Sequence, residues 1–489
     1  MNAMETRGDL VRRIRDRPVI DQLVIPIVFF CLYCAVSLIR FSRYLDGWDL
    51  GIFAQAVKAY SRWEIPLIPL KAQEPFNILG DHFSPVIALI GPIYRVFPHV
   101  QTLLIVQAAL FAVSVALMGR VAHKILPPMY AAPVAACFGM SWTVLAAVVF
   151  DFHEVCFVVP SLILAIGAAW EERWGWMALW CALLALTKED SAFLVGGIAL
   201  MLLARRRVRA GLILGASSVA YFVCVVEVVI PHFSSSGTYA YFSATPGSAT
   251  DLMGNMWAMV QHPRMWIICA LAVLTCGPGI RTAAALVPVP VLLSRVVVNN
   301  PIYWSYSLHY QAPVFTACFF ALILGWGDLM ASCHPDESQD LRRVRLIHVH
   351  PGAVVRRLCL AYIAALFISS VAIAQGEWGW QNLLGVEPAP PKVASFDTVI
   401  AEVPPDVTIV ADTYAIGHLV DTDTVYLATE SWTDSEGEPL DADWVLLDRE
   451  TLSQNNPSTS WVDRRVNTLL TAGFTVVTQD GSVVLLTKP

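Results

Sequence analysis

Charge is scarce in this chain. Asp, Glu, Lys and Arg make up 15% of its 489 residues, against about 25% in soluble domains. Mean hydropathy is +0.58, and several uncharged apolar runs approach the ~20 residues that cross a bilayer. An ordinary soluble globule is excluded. Other absences narrow the function. There is no Walker loop, no Gly-x-Gly-x-x-Gly opening a helix after a strand, and no serine elbow. ATP-driven transport and nucleotide-sugar use therefore have no local support. No cysteine follows Cys359, so the C-terminal part holds no disulfide. Cys31 and Cys34 have Cys-x-x-Cys spacing but lie inside the first apolar run, where they read as two small apolar residues.

The charge that is present is unevenly placed. From Glu377 onward there are 18 acidic and 5 basic residues, whereas residues 1–376 hold 21 acidic and 27 basic. A composition break near Glu377 separates a membrane part, 22–376, from an acidic soluble tail, 377–489. The tail's acidity excludes nucleic acid as a partner. Residues 1–21 carry Arg7, Arg12, Arg13, Arg15 and Arg17 and read as a cytoplasmic N-terminus, because no cleavage site follows the first apolar run.

Apolar runs at about 22–40, 101–119, 129–149, 156–170, 175–187, 191–204, 210–230, 264–280, 282–298, 312–330 and 359–376 give about eleven transmembrane helices. With the N-terminus inside, the cytoplasmic segments hold 18 of the 27 basic residues before Glu377, as the positive-inside rule requires. Eleven spans put the tail outside, at the plasma membrane of a multi-pass protein. Five polar clusters then share the outer side: "DGWDLGIF" (46–53), "GDHFSP" (80–85), "FDFHEV" (150–155), "TKED" (187–190) and "SLHYQ" (307–311). Their convergence on one face is the main functional signal.

Each cluster has a plain reading beside a chemical one. Asp46 and Asp49 open the first outer loop, 41–100. Asp46 reads most simply as a helix cap or a solvated residue; Asp49 is either a cap or a functional carboxylate. Asp81 either caps the interfacial helix that follows or acts with His82, which can share a proton or bind a metal. Asp151, His153 and Glu154 crowd one tight turn. They form either a solvated turn or a set that could hold a divalent cation. Lys188 either pairs with Glu189 or neutralises a phosphate. Arg43, Lys58, Arg62, Lys71, Arg95 and Arg295 are further cations on that side, any of which can simply snorkel. His309 and Tyr310 end an aromatic loop suited to the interface or to stacking on a sugar.

The tail reads as a small α/β unit. Strands are expected at 407–412, 424–429 and 443–449, an amphipathic helix at 461–473, and a hairpin over 474–487 turned at Asp480-Gly481. Asp412 and Asp448 follow strand ends, where α/β sheets bind ligands, though such residues more often just end a strand. A lid or recognition module over the outer face is the expected role.

"WDLGIFAQ", "GDHFSPVIALIGPIYRVFP", "FDFHEVCFVVP", "ALTKEDSAFLV", "LHYQAPV" and, in the tail, "EVPPDVTIVADTYAIGHL" resemble in this order a bacterial and archaeal family of polytopic membrane proteins of unknown function. The resemblance covers roughly residues 40–450. That family is related in topology to the GT-C glycosyltransferases. The resemblance implies a GT-C-like helical membrane fold and transfer of a sugar from a polyprenyl-phosphate donor. It places the acidic residue of the first outer loop, base or metal ligand, at Asp49. Asp81 and His82 match other motif positions of that family, and their place in an outer cluster makes them the expected partners of Asp49 in catalysis. The polar clusters themselves, not the resemblance, give the remaining expectations: Lys188, Glu189, His309, Tyr310 and Arg43 bind substrate, and Asp151, His153 and Glu154 hold a divalent ion or orient the acceptor. The family phrase begins Phe-Asp where this chain has Trp48-Asp49, a conservative change. The alternatives are a transporter or flippase of a lipid-linked or polar solute, and a non-catalytic sensor or scaffold. Transport is disfavoured because the span interiors are nearly bare of ionisable groups.

Overall fold

A computed structural model describes residues 18–242, 249–298, 300–333, 351–452 and 458–489. The arginine-rich stretches at 7–17 and 342–345, which support the expected orientation, lie outside the described residues. The chain is a predominantly helical, multi-span membrane protein with a small C-terminal sheet. Among the described residues, six helices are long and apolar enough to cross a membrane: Gln22–Ser42, Gln101–Ile125, Val208–Phe233, Pro263–Arg281, Gln311–Ser332 and Gly352–Glu377. A seventh is made if Pro128–Gly139 and Trp142–Val149, bent by 43°, cross together. The other expected spans fold as shorter apolar helices: Val155–Trp170, Trp174–Ala185, Ser191–Ala204 and Ala283–Val298. At 1.5 Å per residue, a 12-residue helix reaches about 18 Å, well short of a ~30 Å hydrocarbon core. By length, then, six or seven of the eleven expected spans qualify.

The elements used below are α1 (Pro18–Ser42), α2 (Trp48–Ser61), α3 (Gln101–Ile125), α4 (Trp142–Val149), α5 (Val155–Trp170), α6 (Ser191–Ala204), α7 (Val289–Val298) and α8 (Gln311–Ser332). α8 is the central post, with 78% of its most apolar stretch buried. It can be central because Gly325 and Gly279 meet backbone to backbone; a Cβ on Gly325 would lie 2.2 Å from Gly279 N. The polar turn 150–154 joins α4 to α5, and the turn 186–190 leads into α6. Short helices therefore end at the polar turns rather than carrying charge into the apolar interior.

In the tail, β1 (Thr408–Ala411), β2 (Thr424–Leu427), β3 (Trp444–Asp448), β4 (Thr475–Asp480) and β5 (Val483–Thr487) form one sheet in the order β2-β1-β3-β5-β4. β1 pairs parallel with β2 and β3, and β5 pairs antiparallel with β3 and β4. The hairpin turns at Gly481 with φ +54°, as its Asp-Gly signature requires. The sheet unit is packed onto the first loop. Ile416 fills the space beside Gly51, where a Cβ would lie 2.4 Å from Ile416 Cγ2. Lys58 donates to the carbonyl of Asp421 at 2.7 Å, and the Asp421 carboxylate accepts from Tyr94 Oη (2.7 Å) and Val100 N (3.0 Å). Phe41, His418, Tyr44 and Phe396 stack in series at 4.1, 4.0 and 4.7 Å.

Candidate active site

α2 begins without a side-chain cap: its N-cap is Gly47. The free N–H groups of a helix start still need acceptors. They are met from the α4–α5 turn. Gly47 N–H donates to both oxygens of Asp151, at 2.8 and 2.9 Å, and Leu50 N–H donates to Asp151 Oδ2 at 3.3 Å. Gly47 has φ −98° and ψ −159°, a backbone any residue can adopt. Asp151 is what demands glycine there, since a Cβ would sit 3.1 Å from its Oδ2. This clamp fixes the first turn of α2, and with it Asp49.

Asp46 differs from expectation. It is neither solvated nor a cap: it is 6% exposed, its Oδ1 lies 3.8 Å from Arg40 Nε, and its Oδ2 has no hydrogen bond. Burial pushes its pKa up to about 8, Arg40 opposing and Asp151 adding.

Asp49 projects from that first turn with 29% of its side chain accessible, its Oδ2 3.8 Å from His153 Nε2. Burial raises its pKa to about 6; Lys71 and Lys188 pull it down, while Glu154 and Asp81 push it up. The His153 ring stacks on His309 at 4.0 Å. Burial depresses both imidazoles, and for His309 the neighbouring His153, Lys188 and Arg295 add to the effect. Both rings are thus neutral acceptors or donors at pH 7.

The cationic side is built from Lys188 and Lys71. Lys188 Nζ lies 3.8 Å from Glu154 Oε1. Burial opposes its charge, but Glu154, Asp190 and Glu189 hold its pKa well above the usual lysine value. Lys71 Nζ meets Asp81 Oδ2 at 2.5 Å, and Tyr241 Oη donates to Asp81 Oδ1 at 3.2 Å. Asp81 is therefore an ion-pair partner and not a cap. Glu189 accepts from Phe83 N (3.0 Å) and Tyr239 Oη (2.9 Å) and meets His82 Nδ1 at 2.6 Å. Burial alone would raise Glu189; His82 and Lys188 outweigh it and bring the pKa to about 2.

Ten of the eleven expected site residues therefore lie in one contiguous network: Asp49, Asp81, His82, Asp151, His153, Glu154, Lys188, Glu189, His309 and Tyr310. Arg43 does not. It turns away, donating to the backbone carbonyl of Glu387, because the linker to the tail returns past the end of α1. Among the described residues, no three His, Cys, Asp or Glu side chains are placed to hold a metal ion. Asp151 is spent on backbone N–H groups, Glu154 on Lys188, and His153 faces Asp49. A divalent cation does not fit that set.

Tyr239 and Tyr241 were missed by sequence reasoning. Their signal was the aromatic pair "YAY" (239–241) in a polar stretch after an apolar run. Tyr241 stacks on His82 at 4.4 Å. Both tyrosines wall a cavity of about 300 Å³, together with Phe193, Phe222, Tyr303 and Tyr310; Asp190 and Arg295 also line it. A smaller pocket of about 50 Å³ joins Lys188, Glu154 and His309 to the same Asp190, Arg295 and Tyr310.

No curated protein matches the chain. Among solved structures, it is similar to a crystal structure of ArnT from Cupriavidus metallidurans bound to undecaprenyl phosphate. The identity is 15%, the TM-score is 0.48, and the match covers 95% of this chain and 97% of that one. The family model described as "Predicted membrane protein (DUF2079)" matches residues 41–485, and the chain belongs to that family.

Proposed function

We propose that the protein is a membrane glycosyltransferase that moves a sugar from a polyprenyl-phosphate donor to an acceptor hydroxyl at the outer membrane face. The observation that carries this reading is a carboxylate with a pKa near 6, Asp49, set beside two neutral imidazoles and two partly buried lysines. A group poised near the working pH is suited to general-base catalysis. The GT-C resemblance of the motif order points the same way. In this reading Asp49 takes the proton of the acceptor hydroxyl as its oxygen bonds to the sugar's anomeric carbon. The bond from that carbon to the donor phosphate oxygen breaks, and polyprenyl phosphate leaves with the electron pair. Lys188 and Lys71 supply the positive field that favours the leaving phosphate. Asp151 holds Asp49 in place through α2, and the tail encloses the first loop from outside the membrane.

The test is Asp49→Asn in membranes supplied with a labelled polyprenyl-phosphate sugar. Transfer should fall about 100-fold or more at equal protein level, the range for loss of a general base. Wild-type transfer by this variant would remove Asp49 from the chemistry.

A further inference from the structure

Among the described residues no carboxylate pairs directly with Arg295; the acidic group that acts on it most is Asp190, which lines the same cavity. Arg295 stands in the last turn of α7 and is 8% exposed. One terminal N–H group donates to Gln311 Oε1 at 3.0 Å, the other to the Tyr310 carbonyl at 2.5 Å. Gln311 is itself locked: its amide N–H₂ donates to the carbonyls of Tyr303 (2.7 Å) and Ser305 (3.3 Å), which turns Oε1 toward the guanidinium. Both acceptors of Arg295 are neutral. The partly buried lysines nearby are taken, Lys71 by Asp81 and Lys188 by Glu154. Among the described residues no carboxylate lies within ion-pair distance of Arg295.

A guanidinium has five N–H donors, and the protein engages two. A helix C-terminus favours a cation, but the effect is modest and does not offset burying an unpaired charge. The aromatic-walled cavity lies against this guanidinium. Asp190 shares it. Asp190 is exposed to solvent, which screens the negative charge an incoming anion would meet. The rest of the lining is tyrosine, phenylalanine, valine and one serine. Flat aromatic faces suit a sugar ring, and a fixed guanidinium fork suits two oxygens of one phosphate.

We infer that Arg295 is the anion anchor of this cavity and receives the phosphate of a sugar phosphate ester whose ring lies against the tyrosine faces. The sugar in this statement rests on the transferase reading; the anion site rests on the unpaired guanidinium. Two sources share the chemistry: a lipid-linked phosphate entering from the bilayer, and a soluble sugar phosphate.

The full chain in phosphatidylcholine nanodiscs can be titrated with polyprenyl phosphate, the matching polyprenol and glucose 1-phosphate, with bound ligand counted by native mass spectrometry. The wild type should bind polyprenyl phosphate at least tenfold more tightly than polyprenol. Arg295→Gln should erase that preference, and Arg295→Lys, which keeps the charge without the fork, should keep part of it. If glucose 1-phosphate binds as tightly and is lost equally in R295Q, the site is an anion anchor for a soluble ester. A folded R295Q that still prefers phosphate to alcohol as the wild type does would overturn the anchor. So would a wild type that binds neither phosphate. Should R295Q not fold, an R295K with an undiminished tenfold preference would overturn the fork. Phosphate binding lost in R295Q, with no sugar transfer from any lipid donor, would keep the anchor and end the transferase reading.

Discussion

Asp412 and Asp448 in the tail and Glu189 in the membrane unit are buried carboxylates, Asp81 beside Glu189 is partly buried, and the protein treats the two pairs in opposite ways. The tail pair shares one hydroxyl: Thr451 Oγ1 lies 3.2 Å from Asp412 Oδ1 and 2.6 Å from Asp448 Oδ2. Each also accepts a turn N–H, from Tyr414 at 3.0 Å and Glu450 at 3.1 Å. Among the described residues no cation pairs with either, and burial lifts Asp412 to about 7. In the membrane unit each carboxylate faces a basic group, and Glu189 falls to about 2 despite deeper burial. Burial alone pushes a carboxyl toward neutrality; only placed positive charge reverses it. The tail pair is what strand ends look like when hydrogen bonds suffice. The membrane pair is held charged by placed bases, inside a network whose Asp49 and imidazoles are shifted toward neutrality, and such a mixed network beside lipid calls for a function.

The comparison can be broken at Asp151, the membrane-unit carboxylate that, like the tail pair, is satisfied by N–H groups. Asp151→Ala strands the buried N–H groups of Gly47 and Leu50. It should cost about 2–6 kcal/mol of stability at about 1–3 kcal/mol per orphaned group, and transfer should drop about 100-fold as Asp49 loses its fixed turn. Asp151→Asn keeps an acceptor and should recover most of both. Gly47→Ala, which forces its methyl to 3.1 Å from Asp151 Oδ2, should reproduce the kinetic loss in milder form. Wild-type rates in D151A and G47A together would dismiss the clamp.

Asp412 offers a way to sharpen the contrast. Its folded pKa is raised above the unfolded value near 3.8, so the stability it contributes is full below about pH 4 and is lost as pH rises through about 7. Asp412→Asn keeps the acceptor for Tyr414 N–H and removes the ionisation. The variant should gain on the order of 2 kcal/mol at pH 8, with the gain gone near pH 4. Denaturant melts at the two pH values decide this; equal gains at both would contradict it.

The smallest effect concerns coupling inside the network. Glu154→Gln removes a carboxylate that raises Asp49 and frees Lys188, which lowers it. The acid limb of the transfer rate, expected near pH 6 in the wild type, should move down by roughly half a unit to one unit. An unmoved limb would show that Asp49 does not titrate in the rate.

Much of this was legible in the sequence. Alternating apolar runs and arginine placement grouped five polar clusters, and those clusters touch one another. The Asp480-Gly481 hairpin and the three tail strands followed from local pattern. What was hidden depends on distant partners. Asp151 looked like a ligand because its acceptors are claimed by N–H groups about a hundred positions away, which no spacing reveals. Asp46 looked solvated because nothing local shows that Arg40 and Asp151 surround it. Arg43 looked available until the returning linker put a carbonyl in its reach. Arg295 looked like any snorkelling cation until Gln311 was seen to hold it inward.

The docking of the tail on the first loop also sets a schedule. Lys58 and Asp421 are separated by 363 positions, so at roughly 5–20 residues per second the ribosome delivers them on the order of 20–70 s apart. Every group proposed here to bind or react lies before Gln311 and is synthesised well before the tail. α2 must meanwhile wait with Gly51 and Leu50 uncovered by the tail. A late truncation would therefore spare every proposed chemical residue and still leave the nascent chain exposed to aggregation and quality control.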